Sequence, residues 1–149
     1  MSGTELWAVV TLLLTIAMFG SLIGLAVATA KFSDKQLIQF LQQSLPSLGK
    51  MYPPLTIVSL AAAIILNYLY RSSGSPFWFS LANTFGILAF FLITTKGNVP
   101  INKQLEKWQL NALPNNWEST ISRWKKFNVT RSVLGIIGMV CLVIAAVKY

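Results

Sequence analysis

Five side chains in the second half of this sequence have types and spacings suited to a small polar binding site. Trp124, Asn128, Arg131 and Gly135 follow one another at steps of four, three and four, which places them on one face of a helix. Asn98 and Asn102, also four apart, precede them. A guanidinium and several amides supply directional donors and acceptors. If the two sets converge, they form a ligand pocket at one mouth of a helical bundle. Gly135 is expected to leave a gap beneath that polar face. The alternative for the same residues is an interfacial network, in which Asn98 caps a helix and Arg131 binds lipid phosphate.

Several other chemistries are excluded. The chain has no His, which removes His-ligated haem, His zinc sites and a Ser-His-Asp triad. Cys141 is the single cysteine, so there is no internal disulfide and no CxxC redox pair. No Gly-rich dinucleotide loop is present. The expectation is a protein without haem, flavin or a tightly held transition metal, that is, with no cofactor.

The elements that must position these residues are membrane helices. Of 149 residues, 54% are hydrophobic and only 11% charged, against about 25% charged in a soluble domain. Mean hydropathy is +0.61. Four apolar stretches, 6–30, 54–70, 77–95 and 129–147, contain no Asp, Glu or Lys and fit the roughly 17–25 residues needed to cross a bilayer. Ala28-Thr29-Ala30 has the look of a signal cleavage box. However, no Lys or Arg precedes the first run, which is also too long for a signal peptide, so it is expected to be a span. Nine of the twelve Lys and Arg lie in the first and third connections, and Arg131 stands at the end of the third, in the first turn of the last span. The positive-inside rule puts those connections in the cytoplasm and both termini outside. The net charge of +8 reads as this topology signal plus attraction to anionic membrane lipid; there is no nucleic-acid-binding pattern.

The expected fold is all-α, an integral membrane four-helix bundle forming a single domain over residues 1–149. Amphipathic interfacial helices are expected in the first and third connections. Ser33 and Gln36 form a capping box, Leu37, Ile38, Leu41 and Leu45 recur at helical spacing, and Pro46 ends that pattern. In the third connection Ile101, Leu105, Trp108 and Ala112 fall on one helical face, broken by Pro114. Asn115 and Glu118 then suggest a new cap, and Trp117, Ile121, Trp124 and Asn128 form a stripe running into the last span. Trp108, Trp117, Trp124 and Phe127 suit the headgroup layer. Gly20, Gly24 and Ala28, Ala82 and Gly86, and Gly135 and Gly138 are small residues that let helices approach. Packing within the chain is the favoured role for Gly20 and Gly24, and a homo-oligomer the less favoured one. Asn67, Asn83 and Thr84 are expected to be hydrogen-bonded inside the bundle.

Two elements carry a family resemblance: Asn98-Val99-Pro100-Ile101-Asn102 after the third span, and Trp124-Lys125-Lys126-Phe127-Asn128-Val129-Thr130-Arg131 opening the fourth. The N-x-P-x-N and W-x-x-x-N-x-x-R pair, on a four-span layout, resembles the anthrone-oxygenase-like family of small membrane proteins. The resemblance implies oxidation of anthrones to anthraquinones without metal or flavin. It implies a site with Arg131 and Asn128 as catalytic residues and Asn98, Asn102 and Trp124 binding an aromatic or lipid-like small molecule. Arg131 would stabilise the substrate anion. The spans hold no carboxylate, so they supply no strong general base. The competing function is a non-catalytic membrane subunit or lipid-organising protein. A proton-coupled exporter is disfavoured, because it would need an intramembrane Asp or Glu.

Overall fold

Two serines start the first two helices. In the computed structural model, which describes residues 2–149, Ser2 N donates to the Glu5 carboxylate at 2.6 Å while Glu5 N donates to the Ser2 hydroxyl. Ser33 and Gln36 make the same reciprocal pair, with Ser33 N donating to Gln36 Oε1 at 2.8 Å. Each pair satisfies backbone donors that a helix start leaves free. Helix α1 then runs Gly3–Thr29 and α2 runs Asp34–Tyr70. A turn at Gly74, with φ of +68°, leads into α3 (Ser75–Ile93). A π-helical turn (Thr94–Asn98) joins α3 to α4 (Val99–Leu105), and α5 spans Trp117–Lys148.

Four helical segments, Gly3–Thr29, Asp34–Tyr70, Ser75–Leu105 and Trp117–Lys148, are long and apolar enough to cross a membrane. The fold is an all-α four-helix bundle with the layout of a multi-pass membrane protein. Its polarity is inverted relative to a soluble bundle. Leu13, Ile57, Ile64, Phe85 and Ile137 are exposed, while Thr11, Thr15, Ser59 and Asn83 are buried. Lipid tails solvate the apolar exterior and leave polar side chains turned inward, where Thr11 donates to backbone carbonyls and Thr15 and Ser59 have no partner among the described residues.

The amphipathic segment of the first connection is the beginning of α2 rather than a separate helix. Pro46 does not end it; Pro46, Pro53 and Pro54 all lie inside α2. Each proline removes a helical hydrogen bond at a cost of about 3 kcal/mol, leaving the carbonyl four residues earlier without its donor. Burial offsets this. Leu37, Ile38, Leu41 and Leu45 pack against Ile101 and Leu105 of α4 and Ile121 and Trp124 of α5, and each fully buried leucine contributes about 1.5–3 kcal/mol. A second cluster around Met18, Phe19, Ile87 and Phe90 and a third around Leu66, Tyr70 and Leu142 continue the core along the bundle.

In the third connection the helix stops at Leu105, so Trp108 and Ala112 do not extend the face of Ile101 and Leu105. A contact from another helix closes its end. The Gln42 side-chain amide donates to the carbonyls of Leu105 at 2.7 Å and Trp108 at 2.8 Å, satisfying acceptors that a helix end leaves open. α5 begins one residue later than the sequence cap suggests, with Asn116 at the cap position and no side-chain cap bond. From there it continues unbroken, carrying Trp117, Ile121, Trp124 and Asn128 into the span.

Small residues bring α3 and α5 together. A Cβ on Gly86 would lie 3.3 Å from the Leu134 carbonyl oxygen, and one on Gly138 would lie 3.4 Å from Asn83. Gly135 leaves no gap: the Phe19 ring fills the space, and a Cβ there would fall 2.1 Å from it. Gly20, Gly24 and Ala28, by contrast, are exposed, and a Cβ on Gly24 meets nothing within 4 Å. They do not pack within the chain, because α1 turns Met18, Phe19 and Leu22 inward instead.

Candidate functional site

The π-helical turn aligns the residues that meet α5. A straight α-helix drifts about 40° over each four-residue step; the wider turn takes up part of that drift, so Thr94, Asn98 and Asn102 all reach α5. Gly97 makes the approach possible, since a Cβ there would lie 2.9 Å from the Phe127 ring. Single π turns of this kind are frequent at functional sites.

Arg131 is buried, with only 7% of its surface exposed. Its Nε and Nη2 both donate to Asn128 Oδ1, at 3.2 and 2.7 Å, and its Nη1 donates to Thr94 Oγ1 at 3.0 Å. The guanidinium also lies 5.4 Å from the centre of the Phe90 ring. Every one of these partners is neutral. Among the described residues the one ion pair joins Lys125 to Asp34, so no carboxylate is in contact with Arg131. A buried cation held only by neutral groups keeps a large unmet attraction for an anion.

Arg131 borders a cavity of about 230 Å3, slightly smaller than the roughly 300–1,000 Å3 of drug-sized sites. Its apolar wall is Leu22 and Leu25 of α1 with Leu41, Leu45 and Leu48 of α2, and Gly49 lies beside them. Its polar side is Tyr52, Asn102, Lys103, Glu106 and Arg131, with Trp124 in the wall. Trp124 is fixed by its indole N–H, which donates to Asn102 Oδ1 at 2.9 Å. Tyr52 is fixed by a 2.9 Å bond between its hydroxyl and that of Ser21.

The five residues singled out in the sequence therefore divide into two groups. Arg131, Asn102 and Trp124 line this cavity, whereas Asn98 and Asn128 stand behind them. Asn128 holds the guanidinium. It also borders a second cavity of about 290 Å3 with Trp124, Lys125 and Thr29. Asn98 is 1% exposed, donates to the Trp124 carbonyl at 3.4 Å, and leaves its own Oδ1 without a partner. Arg131 bonds neither Asn98 nor Asn102; Asn128, one turn before it on its own helix, reaches it first. Elsewhere in the bundle Asn67 bonds Thr84 at 2.8 Å and accepts from Ser80 at 2.6 Å, while Asn83, expected to be bonded, has no partner among the described residues.

Sequence reasoning missed Thr94, Tyr52, Lys103 and Glu106. Two of these had a signal. Thr94 and Glu106 extend the Asn98, Asn102 series by one four-residue step at each end. Tyr52 lies next to Pro53, where the expected break in the helix hid its link to the rest of α2.

The model of a known family, anthrone oxygenase, matches residues 46–141, which include the cavity residues from Gly49 to Arg131. No curated protein and no solved structure matches the chain.

Proposed function

Because this chain belongs to the anthrone oxygenase family, we propose that its cavity binds a phenolic aromatic ketone of the anthrone type and promotes its oxidation by molecular oxygen. The observation that carries the reading is Arg131, a buried cation with only neutral partners, bordering a cavity whose other wall is leucine. Such a site favours a flat apolar molecule that carries negative charge on an oxygen atom.

The chemistry then needs little from the protein. An anthrone loses a proton from its central methylene to give an aromatic enolate, whose charge rests on oxygen. Arg131 stabilises that anion at a place where water does not screen it. Glu106 is the carboxylate among the lining residues and is assigned the role of base, which the spans themselves do not provide. Asn102 and Tyr52 hold ring oxygens, and Asn128 and Asn98 keep Arg131 and Trp124 in position. The electron-rich enolate passes electrons to oxygen directly. One oxygen atom becomes the new ring carbonyl, and the other leaves with the two methylene hydrogens as water.

The cavity opens on the cytoplasmic side in this reading. Ten of twelve basic residues lie in the first and third connections or, for Arg131, at the adjoining end of the last span, so those connections, with α4 and the start of α5, face the cytoplasm and both termini face outward. The test is oxygen-dependent conversion of 1,8-dihydroxyanthrone by the purified full-length protein, followed by quinone absorbance. Wild type should accelerate it and Arg131→Gln should not. If wild type gives no acceleration and binds no anthrone under nitrogen, the reading falls in favour of a non-catalytic membrane subunit.

A further inference from the structure

Gly49 is a glycine that no packing contact explains. It lies inside α2 and has no positive φ. A Cβ built on it meets nothing within 4 Å, so no neighbouring helix needs the space. Glycine inside a helix is also less stable than alanine there. The other internal glycines at tight places have evident reasons: Gly86 and Gly138 admit backbone, Gly97 admits Phe127, and Gly135 admits Phe19. What distinguishes Gly49 is its place in the wall of the 230 Å3 cavity, between Leu48 and Tyr52 and among residues that include Arg131.

We propose that Gly49 is a specificity-determining residue: its missing side chain leaves the room that lets a fused three-ring ligand lie in the cavity with its anionic oxygen at Arg131. This rests on the function proposed above and adds to it the residue that sets the size of the substrate. Gly49 stands at an exposed edge of the cavity, and in this proposal a side chain there extends into space that a wide ligand needs. A smaller phenol, held at the Arg131 end, does not use that space.

The experiment compares binding of 1,8-dihydroxyanthrone and 1-naphthol under nitrogen to full-length wild type, Gly49→Ala and Gly49→Leu. Gly24→Leu serves as a control at an exposed helical glycine that is also free of neighbours but does not itself line the cavity. Gly49→Leu should lose about tenfold or more in anthrone affinity, the scale on which steric misfit in an apolar pocket acts, with naphthol affinity retained. Gly49→Ala should raise the melting temperature while lowering anthrone affinity, a pair of changes that a purely structural glycine would not produce. Equal binding of both ligands by wild type and Gly49→Leu, or equal loss of both, overturns the role of Gly49 and leaves the proposed function standing. If Gly49→Leu does not fold, unchanged anthrone affinity in Gly49→Ala overturns it. A wild type that binds neither ligand removes the proposed function, and this inference with it.

Discussion

Arg131 is the residue on which the site depends, because a buried charge without a counter-charge is otherwise a defect. Its hydrogen bonds to Asn128 and Thr94 orient it but do not neutralise it. Replacing it by leucine removes an unbalanced cation while leaving Asn128 and Thr94 unpaired. The second effect costs about 1–3 kcal/mol per stranded group and the first is a gain. Arg131→Leu should therefore retain helical circular dichroism and a melting transition within several degrees of wild type, yet lose anthrone binding. Gly135 is a contrasting case, since it acts through shape alone. Gly135→Val drives a side chain into the Phe19 ring and should destabilise the bundle by about 1–3 kcal/mol, as overpacking does. Adding Phe19→Ala should recover much of the loss in thermal unfolding. Failure of that rescue would mean that the Gly135–Phe19 contact is not the cause.

At the scale of elements, the π-helical turn sets which polar residues meet α5 beside the cavity. Thr94–Asn98 holds one more residue than a plain α-helical turn would. Deleting Thr95, whose hydroxyl only bonds back to its own helix at Phe91 and Leu92, removes the extra residue and closes the turn to an ordinary α-helical one. Asn98 and Asn102 would then leave their present register with Trp124. The expected result is loss of the Asn102–Trp124 bond, seen as a red shift in tryptophan emission, together with loss of ligand binding. A variant that keeps both wild-type emission and binding would show that the π turn is dispensable. The Ser33–Gln36 pair at the start of α2 is a simpler case. Ser33→Ala should cost about 1 kcal/mol in thermal stability without changing ligand affinity, since Ser33 does not border the cavity.

For the whole molecule, orientation and cavity access are one question. If ten of twelve basic residues lie inside the cell, then cysteine introduced at Lys125 is shielded from a membrane-impermeant reagent in intact cells, and cysteine at Ser73 is labelled. The background is Cys141→Ala, which removes the native thiol. The reverse labelling pattern would invert the topology and move the cavity to the outer face. The Lys125–Asp34 ion pair, 2.5 Å long and with both side chains well exposed, ties the starts of α2 and α5 together. Exposed pairs of this kind contribute about 0–1 kcal/mol, so Asp34→Asn should shift the melting temperature by only a few degrees, and less still at high salt.

The four spans, the unbroken run of α5 into the last of them, and the Ser33 cap were legible in the sequence. They depend on local properties: apolar length, period and capping chemistry act over a few neighbouring residues. The grouping of Asn98, Asn102, Trp124, Asn128 and Arg131 was legible as spacing, since positions on one face need only helical geometry. Which of them face a cavity was not. Asn128, one turn before Arg131 and within easy reach, bonds it instead of Asn98 or Asn102, and that outcome depends on distances between helices. Pro46 read as a helix end, and Pro53 and Pro54 as the start of the next helix, because locally a proline interrupts a helix. Only the burial of Leu37, Ile38, Leu41 and Leu45 against α4 and α5, a contact between distant parts of the chain, outweighs their cost. In the same way Gly135 read as a gap until Phe19 from another helix filled it. Sequence acts through near neighbours, while packing sums interactions across the bundle, so the site's contents were decided by the tertiary structure.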